Sequence, residues 1–402
     1  METVLNREVN EPNLWRLETP GAEGWPRTAR ASDPKKMFLL SADGHVQEPS
    51  NMFADRVPEK YSARLPRIVI DEKGGKWNVQ EGFRKAKFRE STFEGEEVLR
   101  NASGKTPQER LTDLKMDGVD GEVLFPNKGL MMWATTDADF CREMCFAWNN
   151  WAWETFGAFN DRLKPMAGIC TAKVDYAMAE ITRVAKLGFS GLSLPCKPVF
   201  GPHDHDDPNY NLPMFDPMWA LIEEVNLPIT FHVSTGRDPR ASKGNGGAVI
   251  NYVSHSLAPT IEPMANLCSS GVLERFPRLK FATIEAGIGW VAWALTAMDE
   301  AYKKHHMWAR PKLQGLPSDY YRAHGFSSFQ EDAPGLALAE QFNLVDNFLW
   351  ANDYPHHEGT WPHSSEAIER QFGHLKHESR MKILGLNAAR LFKFEVPASK
   401  KI

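Results

Sequence analysis

Met37-Phe38-Leu39-Leu40-Ser41-Ala42-Asp43 is a short apolar run that ends abruptly in an acid, followed at once by Gly44-His45. Its length and near-continuous hydrophobicity fit a strand buried on both faces. The same form recurs at Glu122–Pro126, Met166–Thr171, Ser190–Pro195, Pro228–Val233, Lys280–Glu285, His324–Phe329 and Phe348–Asp353. Helical patterns lie between most of these runs. Thr106-Pro107 opens one, with Thr as cap and Pro at the first helical position, and it continues to Met116 before Gly118. Another begins near Asp137 and passes through the Trp-rich Phe146–Phe156. Val174–Leu187, Phe215–Val225, Ile261–Glu274, Ile288–His305 and Ser379–Phe392 continue the series. Strand–helix alternation repeated about eight times predicts an α/β chain folded as a (β/α)8 TIM-type barrel. An open doubly wound sheet is the rival, but no G-x-G-x-x-G follows the first strand, and the polar strand ends call for a closed ring.

Two regions break the rhythm. Residues 1–36 precede the first strand and read as an N-terminal arm. Residues 49–105 separate that strand from its helix by far more than an ordinary βα loop, so the barrel is distorted by an insertion that reads as a lid. Within it Ile68-Val69-Ile70 and Trp77-Asn78-Val79 flank Glu72-Lys73-Gly74-Gly75, a hairpin pattern. The barrel proper spans 37–392, and 393–402 form a C-terminal tail.

Composition limits the function classes. The 402 residues carry 47 Lys and Arg against 52 Asp and Glu, a net charge of −5, which argues against a nucleic-acid partner. No apolar run approaches the roughly 20 residues of a membrane span, and Met1–Pro26 lacks a basic-then-apolar leader. Five cysteines, mostly inside apolar runs, read as reduced thiols of a cytoplasmic protein. The thirteen tryptophans, among them Trp148, Trp151, Trp153, Trp290 and Trp293, are expected in the core or at a subunit interface of a homo- or hetero-oligomer.

In a parallel barrel the C-terminal strand ends share one mouth. The first strand offers Asp43 and His45, two residues apart and so on one side. The fifth offers His232, the sixth Glu285 and the eighth Asp353. Each alone has an ordinary structural reading, such as a turn cap or a hydrogen-bonded core histidine. Their common phase predicts a divalent-metal site built from Asp43, His45, His232 and Asp353.

These residues also carry a family resemblance. Ser41-Ala42-Asp43-Gly44-His45-Val46-Gln47-Glu48-Pro49, Asp117-Gly118-Val119-Asp120-Gly121-Glu122-Val123, Leu187-Gly188-Phe189-Ser190-Gly191, Phe231-His232-Val233-Ser234-Thr235-Gly236, Glu285-Ala286-Gly287-Ile288-Gly289-Trp290 and Asp353-Tyr354-Pro355-His356 fall in order along the chain. They resemble the amidohydrolase superfamily, in its aminocarboxymuconate-semialdehyde-decarboxylase-like branch. The resemblance implies a distorted barrel with Asp43, His45, His232 and Asp353 as metal ligands. Two departures stand out: the common His-x-His is here Asp43-x-His45, and the decarboxylases' strand-six histidine is here Glu285. Both exchange imidazole for carboxylate, which favours Mn or Fe without excluding Zn.

Glu48 and His356 each lie three residues past a ligand, and with Glu285 they are candidates for a second metal or for proton transfer. The alternative is that they orient the ligands by hydrogen bonding. His255 is a candidate substrate contact. Lys197, just past the fourth strand, reads as a loop cation rather than a modified metal-bridging lysine. His203-Asp204-His205-Asp206-Asp207 reads as a solvated loop, and Arg84, Lys85, Arg89 and Arg100 as a basic lid surface. Cys141 and Cys145, one helical turn apart, are expected to pack.

The resulting expectation is a metal-dependent enzyme that hydrolyses or non-oxidatively decarboxylates a small organic acid or amide-like substrate. The resemblance implies Asp353 as ligand and base, and His356 or Glu285 would then be the proton donor. The alternative is a dinuclear non-haem hydroxylase (Fe/Fe or Fe/Mn) that activates O2 and takes electrons from a separate donor protein.

Overall fold

A computed structural model of the chain describes residues 32–33, 35–82, 85–88, 96–200, 208–235 and 242–401. Eight parallel strands form its frame. They are β1 (Leu40–Val46), β2 (Gly121–Pro126), β3 in two pieces (Leu163–Pro165 and Ala167–Gly168), β4 (Leu192–Leu194), β5 (Ile229–His232), β6 (Phe281–Ile284), β7 (Gly325–Phe329) and β8 (Phe348–Trp350). Neighbours pair in chain order, all in parallel. Between the pieces of β3, Met166 N–H donates to Leu124 O at 3.0 Å and Ala167 N–H to Gly191 O at 3.1 Å, so this strand passes the sheet from β2 to β4. The ring closes between β8 and β1. His45 N–H donates to Tyr354 O at 2.7 Å, Asp353 N–H to Asp43 O at 3.2 Å, and Gly44 and Tyr354 form a parallel bridge. A closed ring rules out the open doubly wound alternative.

The third strand lies further upstream than Met166–Thr171. It starts at Leu163 and takes in Lys164, whose charge interrupts the apolar pattern. Lys164 is nonetheless buried, its ammonium satisfied by Asn160 O at 2.8 Å and Ser190 Oγ at 3.2 Å.

The helix that follows the insertion is Pro107–Asp117. Thr106 Oγ1 accepts from Glu109 N–H at 3.2 Å at its start, and Gly118, at φ 86°, ends it in the left-handed region. Asp137 caps the helix Ala138–Phe156 in the same manner. The helix expected from Ile261 starts earlier, as Gly247–Tyr252, and runs through a π turn (Val253–Leu257) into Ala258–Ser269. A second π turn, Lys382–Leu386, joins His377–Met381 to Asn387–Phe392. Leu40, Val123, Met166, Ala282, Phe326 and Leu349 of the strands share one buried cluster with Leu391 and Phe392, so the ring has a packed core rather than a pore.

In the insertion, Arg67–Ile70 and Lys76–Val79 pair antiparallel around the Asp71–Gly75 turn, and Ala86–Lys87 adds a third strand. Its helix Glu96–Ala102 carries Arg100 inward. Arg100 is buried, donates to His356 O and stands over the Trp361 ring, so it is not part of a basic surface. Residues 1–31, Arg84, Arg89 and the His203–Asp207 stretch lie outside the described residues. All five cysteines are buried thiols outside any disulfide, and Lys197 pairs with Glu262 at 3.2 Å. Trp148 and Trp151 are core residues, whereas Trp293 is 67% exposed. Among the described residues no helix is long and apolar enough to cross a membrane.

Candidate metal centre

Six side chains converge at the C-terminal mouth: Asp43 and His45 from β1, His232 from β5, Glu285 just past β6, and Asp353 and His356 past β8. They make two overlapping donor groups, Asp43–His45–His232–Glu285 and His45–Glu285–Asp353–His356, each with its donor atoms within 4.8 Å of one another. The backbone aims several of them. Glu285 (φ 58°) and Asp353 (φ 51°) are left-handed, as is Ser234 after β5 (φ 71°). For non-glycine residues this costs about 1–3 kcal/mol each and persists only when the surroundings enforce it. Here Glu285 N–H is held by Ser328 Oγ at 2.9 Å and Asp353 N–H by Asp43 O.

The imidazoles are oriented from behind. His45 Nδ1 lies 2.8 Å from Pro126 O, and His232 Nδ1 lies 2.9 Å from Val233 O. A carbonyl only accepts, so each Nδ1 carries the proton and each Nε2 presents a lone pair to the centre. The two Nε2 atoms stand 3.2 Å apart. His45 Nε2 is 3.6 Å from Asp43 Oδ1, 3.6 Å from Asp353 Oδ1 and 3.7 Å from Glu285 Oε2. His232 Nε2 is 3.5 Å from both Asp43 Oδ1 and Glu285 Oε2. Such edges are what legs of about 2.0–2.2 Å to one shared cation produce.

Asp43 tests the fit. It is fully buried, and neither of its oxygens accepts a hydrogen bond. An ionised carboxylate buried without a partner is costly, and a ligated cation removes that cost. Three carboxylates and bare imidazole nitrogens form a hard, anionic donor set that suits a divalent transition metal.

Burial, reinforced by Asp353 and Asp43, pushes Glu285 well above the usual carboxylate range. Burial also lifts Asp353 to about 7, against the opposing pull of His356. His356 Nδ1 sits 3.2 Å from Asp353 Oδ1, with its ring stacked on His45 at 4.0 Å. Burial lowers its basicity, but the Asp353 and Glu358 charges outweigh that and bring it up to about 9. Burial, with His356 and His232 nearby, drives His45 well below its ordinary value.

Glu48 does not join the cluster. Its oxygens accept three backbone N–H groups, from Asn127 at 3.0 Å, Lys128 at 3.1 Å and Gly129 at 2.9 Å, so it ties the end of β1 to the loop after β2. That arrangement matches the other expectation for it, hydrogen bonding that orients its neighbours, and Glu48 is in neither donor group. His255 is buried in the π turn and belongs to neither donor group.

Three residues were missed at sequence level. Arg110 and Glu122 form a fully buried ion pair beneath Gly44, with Nε 2.5 Å from Oε2. The only sequence signal was the i, i+3, i+7 spacing of Arg110, Asp113 and Asp117 along one helix. Tyr252 is held above the ordinary phenol range by partial burial and then by the charges of Glu285, Glu358, Asp353 and Asp43.

A closed parallel barrel with a buried carboxylate–imidazole cluster at its C-terminal mouth defines the class of metal-binding barrel proteins. The family profile described as amidohydrolase matches residues 53–394, and the chain belongs to that family. Its fold is similar to a crystal structure of an amidohydrolase from Mycobacterium avium subsp. paratuberculosis K-10, at TM-score 0.71 and 19% identity over 89% of this chain and 99% of that one. It is also similar to 5-carboxyvanillate decarboxylase from Sphingomonas paucimobilis, at TM-score 0.63 and 21% identity over 90% and 100% of the two chains. A third similar structure is dihydroxybenzoic acid decarboxylase from Polaromonas sp. JS666 with bound manganese and 2-nitroresorcinol, at TM-score 0.61 and 15% identity over 90% and 99%. No curated protein matches this sequence.

Proposed function

We propose that the chain is a divalent-metal hydrolase or carboxy-lyase acting on a small organic acid or amide-like compound. The observation that carries this reading is the unpartnered, fully buried Asp43 carboxylate facing two bare Nε2 atoms and Asp353. Asp43, His45, His232 and Asp353 would hold the cation. When bound, such an ion lowers the pKa of a ligated water and polarises a carbonyl or carboxylate. Asp353, a carboxylate at the centre with His356 Nδ1 3.2 Å from its Oδ1, is the proton acceptor, because it stands where a ligated water would meet it and can pass a proton on. His356, its Nδ1 3.2 Å from Asp353 Oδ1 and its own proton favoured by the neighbouring charges, gives that proton to the leaving group or, in decarboxylation, to the carbon that lost the carboxylate as CO2, and is reprotonated by Asp353 or by solvent. Glu285, with its proton favoured by burial, is the alternative donor. Tyr252 and His255, on the connection between β5 and β6, are proposed to contact substrate. The decarboxylases among the similar structures support the carboxy-lyase branch.

The test is metal analysis of protein purified without added metal, paired with Asp353→Asn assayed on a panel of aromatic carboxylic acids and amides. About one divalent ion per chain and loss of turnover in the variant support the reading. A metal-free protein, or full turnover in the variant, refutes it. A second reading rests on the overlapping donor group His45–Glu285–Asp353–His356, which would hold a second cation. An iron or iron–manganese pair there, with O2 consumption driven by an electron-donor protein, would make the enzyme a hydroxylase. A single zinc would end that reading.

A further inference from the structure

We propose that Arg110, with Glu122 as its counter-charge, is a positioning residue of the metal centre that fixes the seam on which His45 and Asp353 stand; this rests on the reading that the centre binds a divalent cation. Arg110 projects from the helix Pro107–Asp117 and is fully buried. Its guanidinium makes three directed bonds: Nε to Glu122 Oε2 at 2.5 Å, Nη1 to His45 O at 2.9 Å and Nη2 to Tyr354 O at 3.0 Å. The two carbonyls sit on opposite sides of the ring closure. One belongs to a ligand, and the other to the residue after Asp353. Tyr354 O is the same atom that accepts His45 N–H in closing the ring.

The rest of that helix face acts on the same loop. The Tyr354 ring lies against the guanidinium with its centroid 4.5 Å from Cζ, and its hydroxyl donates to Asp113 Oδ2 at 2.5 Å. One further turn along, Asp117 accepts from Ser364 N–H at 3.2 Å and from its hydroxyl. Arg110, Asp113 and Asp117 thus hold the segment that follows Asp353, a residue kept in a left-handed conformation it would not adopt unsupported. Below, Glu122 lies directly under Gly44, between Asp43 and His45.

A planar fork can span two carbonyls and a carboxylate at fixed separations, whereas an ammonium is a single point. Buried ion pairs are poor stabilisers relative to packed apolar residues, so stability alone gives no reason for one here. Geometry at the adjoining centre does, because ligands on two strands joined by irregular bonds need a rigid tie.

The experiment uses Arg110→Lys and the charge-neutral double variant Arg110→Met/Glu122→Leu in the full chain, stripped of metal and titrated with Mn2+ by calorimetry. Melting of the metal-free proteins is recorded alongside, with EPR of the Mn2+-loaded forms. Removing groups that orient ligands from behind typically weakens metal binding 10–100-fold, and both variants should fall in that range. The metal-free double variant should melt close to the wild type, and the Mn2+ EPR lines should broaden. Mn2+ affinity within twofold of wild type in either folded variant would overturn the proposal. So would weaker binding that merely parallels a loss of metal-free stability, because that is a structural effect. A wild type that binds no Mn2+ refutes the functional reading instead, which keeps the two failures apart.

Discussion

Gly44→Ala is expected to damage the protein far beyond its size. Gly44 does not have positive φ, so its backbone tolerates a side chain and only space is lacking. A Cβ at this position would lie 2.0 Å from Glu122 Oε1, 2.4 Å from its Cδ and 3.0 Å from Arg110 Nη2. In an open setting the end of a glutamate would swing away. Here it cannot, because Glu122 is fully buried and its other oxygen is held by Arg110. Either the carboxylate leaves Arg110 or the Asp43–His45 turn lifts. Overpacking costs about 1–3 kcal/mol, and separating a buried ion pair about 3–5 kcal/mol. The two costs are alternatives as much as they are additive, so the expected loss is about 3–5 kcal/mol. That is a large share of the roughly 5–15 kcal/mol stability of a folded domain. Urea unfolding of the metal-free protein measures this directly, and Mn2+ titration of the folded fraction should show at least tenfold weaker binding. A variant with wild-type urea midpoint and wild-type Mn2+ affinity would show that the Glu122–Gly44 contact is not rigid, and the argument would fail.

Two further outcomes are expected. In chelated protein Asp353 is raised to about 7 from 3.8 and His356 to about 9 from 6.5. Both groups hold their protons more tightly when folded, so their contribution is complete at low pH. It is lost as pH rises, from about 4 through 7 for Asp353 and from about 6.5 through 9 for His356. His45, held well below its ordinary value, opposes this only up to about pH 6.5, so melting temperature without metal should fall from pH 7 to pH 9, and the gain on adding Mn2+ should grow over the same interval. A metal-free melting temperature that is flat or rises with pH contradicts this. Glu48→Ala leaves three backbone N–H groups without their acceptor and should cost about 1–3 kcal/mol in urea unfolding, with bound metal per chain unchanged. Loss of metal in that variant would return Glu48 to the centre.

The barrel was legible because buried parallel strands leave a plain signature: short apolar runs, regular spacing, a polar residue at each end. The same phase placed Asp43, His45, His232, Glu285 and Asp353 at one mouth, and the structure brings them together with His356. Glu48 was indistinguishable from His356 on spacing, since both lie three residues beyond a ligand. What separates them is the turn after β2, whose N–H groups capture Glu48 and which no local pattern reveals. The start of β3 was missed because Lys164 interrupts the apolar pattern, and an ammonium buried against Asn160 O and Ser190 Oγ leaves no mark on that pattern. Arg110 and Glu122 were hidden for a related reason: a charge on a helix such as Arg110 is by default taken as solvent-facing, a charge at the start of a strand such as Glu122 as its edge, and only tertiary contacts show otherwise. The left-handed backbones of Glu285 and Asp353 likewise depend on neighbours rather than on residue type.

Because the ring is joined between its first and last strands, the place where Asp353 meets His45 cannot exist until β8 has been synthesised. Contacts of such long sequence separation are slow to form and come late. A nascent chain emerging from the ribosome would carry Asp43 and His45 long before their counterparts from β8 arrive. Capture of the ion by the full donor set thus has to follow ring closure, since Asp353 and His356 arrive only with the segment after β8.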